Sequence, residues 1–330
     1  MDPSQIPSIF SELDIQFARF LMRLSGKESP ELFLAAALAS SFRREGHICL
    51  NLSSVAGKAM GEGEGTWVCP GIESWLDILK QSSMVGNPGE FRPLILEGSR
   101  LYLYRYWNYE KQLADTLRGR AGREDLPLDA PLLQQGLSRL FPAEEDGEVN
   151  WQKVGAFGSV LKSLGVISGG PGTGKTFTVA GILALHLEQA KGRALRIALA
   201  APTGKAAARL KESIRGAKEK LNGSPEIIAA IPEEASTLHR LLGGIPGSPY
   251  FRYNAENPLP VDLLVVDESS MVDLALLSKL TQAVPKEARL ILLGDKDQLA
   301  SVEAGAVLGD ICDTGGIHLF SENFCRSYRE

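Results

Sequence analysis

The 330-residue chain is 44% hydrophobic and 23% charged, the proportions of a folded protein with room for about two domains. Its formal charge of −5 argues against a globally basic nucleic-acid binder, so any such contact must come from a local patch. The scattered cysteines Cys49, Cys69, Cys312 and Cys325 form no C-x-x-C pair and argue against a metal clasp and for reduced thiols. Residues 32–39, the longest apolar run, fall far short of the roughly 20 a bilayer span requires, and Met1-Asp2-Pro3-Ser4-Gln5 opens no export signal. A soluble cytoplasmic chain is the expectation.

Residues 1–120 read as a small mixed, mostly helical N-terminal domain, with amphipathic helices predicted near 13–24, 31–44 and 72–81. A hairpin is expected next, with strands at 93–97 and 101–107 around Gly98-Ser99. Its aromatics, Tyr102, Tyr104, Tyr106 and Trp107, fit either a base-stacking platform or, more simply, one strand face in a core. Residues 121–150 turn to Pro, Asp and Glu and read as a linker, with a helix at 131–140 and an acidic tip Glu144-Glu145-Asp146-Gly147-Glu148.

From Trp151 to residue 330 apolar strand, loop and helix alternate, with strands expected at 164–168, 195–201, 263–266 and 290–293. That alternation predicts a parallel sheet flanked by helices. Gln152 opens a helix before the first strand, where its amide suits an adenine edge or, equally, solvent. The first strand runs into Gly169-Gly170-Pro171-Gly172-Thr173-Gly174-Lys175-Thr176, of the form G-x-x-x-x-G-K-T, and then Phe177 and a helix over 178–189. Small residues let backbone N–H groups surround phosphate oxygens, Lys175 reaches the β- and γ-phosphates, and the Thr176 hydroxyl ligates Mg²⁺. ATP and Mg²⁺ are the implied cofactors.

Segment 191–220 holds nine Lys and Arg against two Glu, an excess of positive charge in an acidic chain. Within it Pro202-Thr203-Gly204-Lys205 lies at a strand end entering a helix, suited to a single-stranded DNA phosphodiester, whereas Lys218 and Lys220 read as a solvated helix face. A helix is expected from Ser236, capped by Ser236 or Thr237, with Thr237 and His239 as further candidate DNA contacts. Segment 248–254 fits either a hairpin that stacks on bases or an ordinary turn.

The third expected strand ends in Asp267-Glu268. Carboxylates there suit Mg²⁺ binding by Asp267 and activation of water by Glu268, although a helix-capping pair is physically sound as well. After the next strand, Gly294-Asp295-Lys296-Asp297-Gln298 places an amide where it can sense a γ-phosphate.

The glycine-rich loop, Ala201-Pro202-Thr203-Gly204-Lys205-Ala206-Ala207, Thr237-Leu238-His239-Arg240-Leu241-Leu242, Asp267-Glu268-Ser269-Ser270-Met271 and the run from Gly294 through Gln298 to Gly305 together resemble superfamily 1 DNA helicases of the RecD type. Leu13-Asp14-Ile15-Gln16-Phe17-Ala18-Arg19 and Arg100-Leu101-Tyr102-Leu103 are similar to that family's N-terminal region. The resemblance implies a RecA-like P-loop NTPase domain at 151–330 behind a subunit-docking domain. It implies ATP-driven 5′ to 3′ movement on single-stranded DNA and work beside RecB-like and RecC-like subunits in a bacterial exonuclease V (RecBCD) complex that processes double-strand ends for repair. Ser327-Tyr328-Arg329 resembles the start of the fourth motif, which makes Arg329 the expected γ-phosphate arginine. The family's second motor domain is not among these residues, so ATP binding with poor turnover is expected. A regulatory subunit whose ATP state sets partner docking is the alternative; a kinase or ligase lacks an acceptor constellation.

Overall fold

The computed structural model describes residues 9–61, 67–123, 128–142, 149–170, 172–298, 305, 307–313 and 320–329. They form two compact units: one reaches Gln112 and includes Asp273–Ala275 and Gly305, and the other holds the rest from Leu113.

In the first unit, α1 (Glu12–Ser25) starts at a reciprocal cap in which Ser11 and Asp14 each bind the other's main chain. Ser29 and Pro30 open α2 (Pro30–Arg44), whose Leu32 to Ala39 are buried throughout, so this helix is enclosed rather than amphipathic. β1 (Cys49–Asn51), the short α3 (Leu52–Val55), the antiparallel pair β2 (Ala59–Met60) and β3 (Trp67–Val68), and α4 (Ile72–Lys80) follow. β4 (Val85–Gly86), β5 (Leu94–Glu97) and β6 (Arg100–Leu103) complete a sheet of order β1-β6-β5-β4, antiparallel except between β4 and β5.

The expected hairpin is present but shorter. Leu103 pairs with Leu94, and Tyr104 N–H bonds the carbonyl of Pro93, a residue with no N–H to continue the ladder. The chain then enters α5 (Tyr104–Ala121), so Tyr104, Tyr106 and Trp107 are helical. Tyr102 and Trp107 are buried with Ile95, which answers the platform question in favour of the core for those two. The Arg43 guanidinium bonds the Tyr106 hydroxyl at 2.7 Å.

α5 ends inside the second unit, where the buried Arg120 donates to the carbonyls of Val284, Pro285 and Ala288. The segment expected to be a linker also belongs there. α6 (Ala130–Leu140) contributes Leu133, Leu137 and Leu140, with Phe141, to that unit's core; the acidic tip 144–148 lies outside the described residues.

α7 (Trp151–Leu161), β7 (Leu164–Ser168), α8 (Lys175–Gln189), β8 (Ile197–Ala201), α9 (Gly204–Lys218) and α10 (Pro225–Ala230) come next. β9 (Ala235–Thr237), α11 (Leu238–Leu242), β10 (Leu263–Val266), α12 (Leu274–Ala283), β11 (Arg289–Gly294), α13 (Val307–Cys312) and α14 (Glu322–Arg329) complete the order. The sheet runs β7-β11-β10-β8-β9, every pair parallel, with helices packed around it. The four expected strands are all there. β9 is an addition: Ser236 lies in it, and α11 starts two residues later than expected.

Candidate nucleotide and nucleic-acid site

Because all five strands point the same way, their carboxyl ends share one rim, where ligands gather in such sheets. In sheet order the rim carries Ser168, Gly294, Val266, Ala201 and Thr237.

At the first of these ends, Gly172 and Gly174 take left-handed φ values of 79° and 78°, conformations that glycine adopts without strain. A Cβ on Gly174 would also stand 2.5 Å from Gln152 Nε2. Gln152, in the first turn of α7, donates that amide to the Thr173 carbonyl at 3.1 Å, so its main visible partner is the loop itself. The Thr173 hydroxyl donates to the Gly170 carbonyl at 2.9 Å, and Lys175 Nζ donates to Gly170 O at 2.9 Å and to Gly169 O. Lys175, Thr176 and Phe177 form the first turn of α8, three residues earlier than the expected start. Pro171 lies outside the described residues.

The N-terminus of α8 is built differently from its neighbours. In the second unit α6, α7, α9, α10 and α11 are each closed by a Ser, Thr, Asn or Asp side chain, whereas α8 begins at Gly174 with no side-chain cap, as α4 of the first unit does at Gly71. Backbone donors in an uncapped first turn, with a lysine beside them, match the needs of an oxyanion.

Two strands away, Asp267 N–H bonds the Ala200 carbonyl at 2.9 Å and Asp267 Oδ1 accepts from Glu268 N–H at 2.9 Å. Burial pushes the Asp267 carboxyl above the ordinary range, while the Glu268 N–H and the charge of Lys175 act the other way. The Lys175 charge is therefore felt at Asp267. Glu268 sits at φ 53°, a left-handed position that costs a non-glycine residue about 1–3 kcal/mol and persists only where its surroundings hold it.

Those surroundings are Ser269, Ser270 and Gly294. The Ser269 hydroxyl donates to the carbonyls of Leu293 and Val266, and the Ser270 hydroxyl donates to Gln298 Oε1 at 3.3 Å. A Cβ on Gly294 would stand 3.1 Å from Ser270 N and closer still to Leu308. All three stand in the motifs quoted from the sequence, where none was given a role; the Ser-Ser pair directly after two carboxylates was the available signal.

At the far end of the rim, Thr203 caps α9, accepting from Ala206 N–H at 3.2 Å, with Gly204 and Lys205 exposed and Pro202 half-buried. Thr237, paired in register with Ala201, caps α11 through Arg240 N–H at 3.2 Å; Thr237 rather than Ser236 is the cap. The exposed His239 meets the Phe251 ring edge-on at 5.6 Å, and Lys279 Nζ lies over the same Phe251 ring at 5.4 Å. Segment 248–254 is a short folded loop anchored by an antiparallel bridge between Gly244 and Phe251, with Tyr250 73% exposed.

The basic segment is less free than its composition suggests. Lys211 pairs with Glu234, Lys218 with Glu233, Lys191 with Asp129 and Arg196 with Asp262. Lys205 and Arg209, one helical turn apart at the rim end of α9, stay exposed. Arg329 closes α14, and its side chain lies outside the described residues. A cavity of about 610 Å³ runs from Ser168, Gly169 and Gly170 past Asp295 to Trp151 and Phe324.

A glycine loop behind the first strand of a parallel sheet, an acidic couple behind another and an amide behind a third define a P-loop NTPase domain. Residues 152–304 match the family described as AAA domain, and residues 7–102 match the RecBCD enzyme subunit RecD, N-terminal domain. The RecBCD enzyme subunit RecD of Mycobacterium tuberculosis is 43% identical over 91% of this chain and 50% of its own length. That of Haemophilus influenzae is 42% identical over 73% of this chain and 38% of its own. The ATP-dependent RecD2 DNA helicase of Deinococcus radiodurans is 39% identical over 63% of this chain and 26% of its own. The chain belongs to the RecD family, and spans half or less of the length of these relatives.

Proposed function

We propose that this chain is the ATP-binding part of an ATP-dependent DNA helicase subunit that moves 5′ to 3′ on single-stranded DNA. Its setting is a RecBCD-type helicase and nuclease, with RecB-like and RecC-like partners, acting on double-strand ends in the bacterial cytoplasm. The observation that supports this best is the rim itself, where the glycine loop with Lys175, the Asp267-Glu268 couple and Gln298 follow three strands of one parallel sheet and Ser270 ties the turn after Glu268 to Gln298.

In this reading Gly169, Gly170, Pro171, Gly172, Thr173 and Gly174 surround the phosphates of ATP, with Lys175 on the terminal pair. Thr176 and Asp267 hold Mg²⁺, which supplies positive charge against the phosphates. Glu268 takes a proton from the attacking water, Gln298 registers the γ-phosphate, and Arg329 adds a cation from the chain's last helix. Gln152 meets the adenine edge, and Phe177, packed edge-on against Phe141, is the last residue of the nucleotide-binding stretch. Pro202, Thr203, Gly204, Lys205, Thr237 and His239 hold the DNA backbone at the other end of the same rim.

The test is ATP hydrolysis by the chain assembled with its partner subunits, with and without single-stranded DNA. Stimulation by DNA that is lost in Lys175→Ala supports a motor. ATP-dependent assembly with no DNA stimulation supports the regulatory alternative instead.

A further inference from the structure

The second unit's parallel sheet has two ends. One is the rim with the glycine loop; the other, where the strands begin, collects arginines. Arg289 opens β11, Arg196 stands just before β8, and Arg193 lies in the loop between α8 and β8. Arg120 and Arg123 come from the last turn of α5 and the residues after it. Main-chain and hydroxyl bonds bring these segments together. Arg289 N–H donates to the Asp262 carbonyl at 3.0 Å, Leu290 N–H donates to the Ser163 carbonyl at 3.0 Å, and the Ser163 hydroxyl donates to the Arg120 carbonyl at 2.7 Å. β11 runs from Arg289 to Gly294, so at about 3.3 Å per residue this end lies about 17 Å from the rim.

Two of these arginines are answered within the fold. Buried Arg120 gives its terminal nitrogens to the carbonyls of Val284, Pro285 and Ala288, just past the C-terminus of α12, where a cation is favoured. Arg196 forks onto both oxygens of Asp262, at 3.1 Å and 2.8 Å. The other three have far less. Arg123 donates to the Lys286 carbonyl, and Arg289 donates to the Val160 carbonyl at 3.3 Å but leaves its buried Nε without a partner. The exposed Arg193 makes no side-chain hydrogen bond or ion pair among the described residues.

A carbonyl does not neutralise a charge. Burial first, and then the charges of Arg123 and Arg193, lower the hold of Arg289 on its own proton, with no carboxylate acting the other way. Asp262 is occupied by Arg196, and the charge of the exposed Glu287 reaches Arg120. Guanidinium groups gathered without counter-charge repel one another, and half-buried ones call for an anion. Their planar forks of N–H donors match the several oxygens of a phosphate.

We propose that Arg123, Arg193 and Arg289 form a second anion site, at the starting end of the sheet, which takes a phosphate group from a free phosphate ion or from the backbone of a nucleic acid.

The experiment uses the 330-residue chain carrying Lys175→Ala, which weakens phosphate binding at the glycine loop. Its melting temperature is followed in potassium phosphate and in potassium chloride of equal ionic strength. Phosphate is expected to raise it, and adding Arg123→Gln with Arg193→Gln is expected to weaken phosphate affinity about tenfold or more and remove most of the rise. No rise, or a rise that survives the double change, overturns the proposal. In chloride, Arg193→Gln alone should melt no lower than its parent; a lower value would make Arg193 a structural brace and overturn it too. Glu124→Gln with Asp125→Asn, next in the chain to Arg123 and outside the described residues, should keep or tighten phosphate binding. Loss of stability in chloride on that change would make those carboxylates the arginines' partners, which also overturns the site. Two further outcomes name the source. In a chain with Lys205→Ala and Arg209→Ala, remaining affinity for a single-stranded oligonucleotide that falls about tenfold on Arg193→Gln assigns the site to a phosphodiester. Oligonucleotide binding indifferent to Arg193, beside an intact phosphate effect, assigns it to the free ion.

Discussion

The Ser270 hydroxyl donates to Gln298 Oε1 at 3.3 Å, joining the turn behind the acidic couple to the loop at the end of the neighbouring strand. Gln298 is otherwise exposed, so this bond is what orients its amide. Ser270→Ala leaves the amide free to rotate, and Gln298→Ala removes it. Both variants are expected to bind ATP within about threefold of wild type, since neither residue belongs to the phosphate loop. In the assembled enzyme, loss of DNA-stimulated hydrolysis should be larger for Gln298→Ala, at about 10²-fold, the scale of one well-placed polar group. Equal losses in binding and turnover would make the pair structural.

Asp267 is a carboxyl whose folded-state affinity for a proton is raised by burial. The folded chain therefore holds this proton to higher pH than the unfolded chain does. By linkage, stability is lost as pH rises through the folded-state value. Asp267→Asn removes that loss, so its melting temperature should exceed wild type at pH 8 and converge with it toward acid pH. The same variant should bind ATP without dependence on added Mg²⁺. A uniform destabilisation at all pH values would show that Asp267 is instead a packing residue.

What the residues alone made legible here is the part whose chemistry is contiguous. The glycines, Lys175 and Thr176 must be adjacent because one loop surrounds one group, and Asp267-Glu268 must follow a buried strand to stand at its end. Non-local facts were hidden. Lys218 reads as part of a solvated helix face until Glu233 is placed beside it. β9 is three residues long, too short to show a period. Tyr104 to Trp107 favour strands by type, yet their partner strand ends at Pro93, and that limit is set by pairing and not by propensity.

His186, fully buried in α8, is pushed down to about 3 from an ordinary 6.5 by burial and the nearby Arg289 charge. The unfolded chain takes up a proton below pH 6.5 that the folded chain refuses until about pH 3. Stability from this group therefore falls with decreasing pH across that window, by up to about 1.4 kcal/mol per pH unit. His186→Gln should flatten the loss, as followed by urea unfolding at pH 7, 6 and 5. An unchanged slope would assign the acid sensitivity to other groups.

Thr203 and Lys205 separate two effects at one helix end. Thr203→Ala removes the cap on Ala206 N–H and should cost about 1 kcal/mol of stability, whereas Lys205→Ala should cost almost none. If the rim holds a DNA backbone, Lys205→Ala and Arg209→Ala should each weaken single-strand binding and reduce its salt slope by about one charge. Measuring affinity between 50 and 200 mM salt decides it: a slope that does not move excludes this end of the rim as the contact.

The last prediction concerns residues 128–141, whose composition is that of a connector. Phe141 lies against α8 where Gly181 offers no side chain; a Cβ there would meet the Phe141 ring. Phe141 also meets the Phe177 ring edge-on at 6.2 Å, one residue past Thr176, so it braces the helix that carries the phosphate loop. Gly181→Ala should destabilise the chain by about 1–3 kcal/mol through overpacking, and Phe141→Leu in the same chain should recover part of it. Phe141→Ala alone should cost about 3–5 kcal/mol and weaken ATP binding, because α8 loses its support. A connector outside the core would tolerate all of these, and urea unfolding of the variants distinguishes the outcomes.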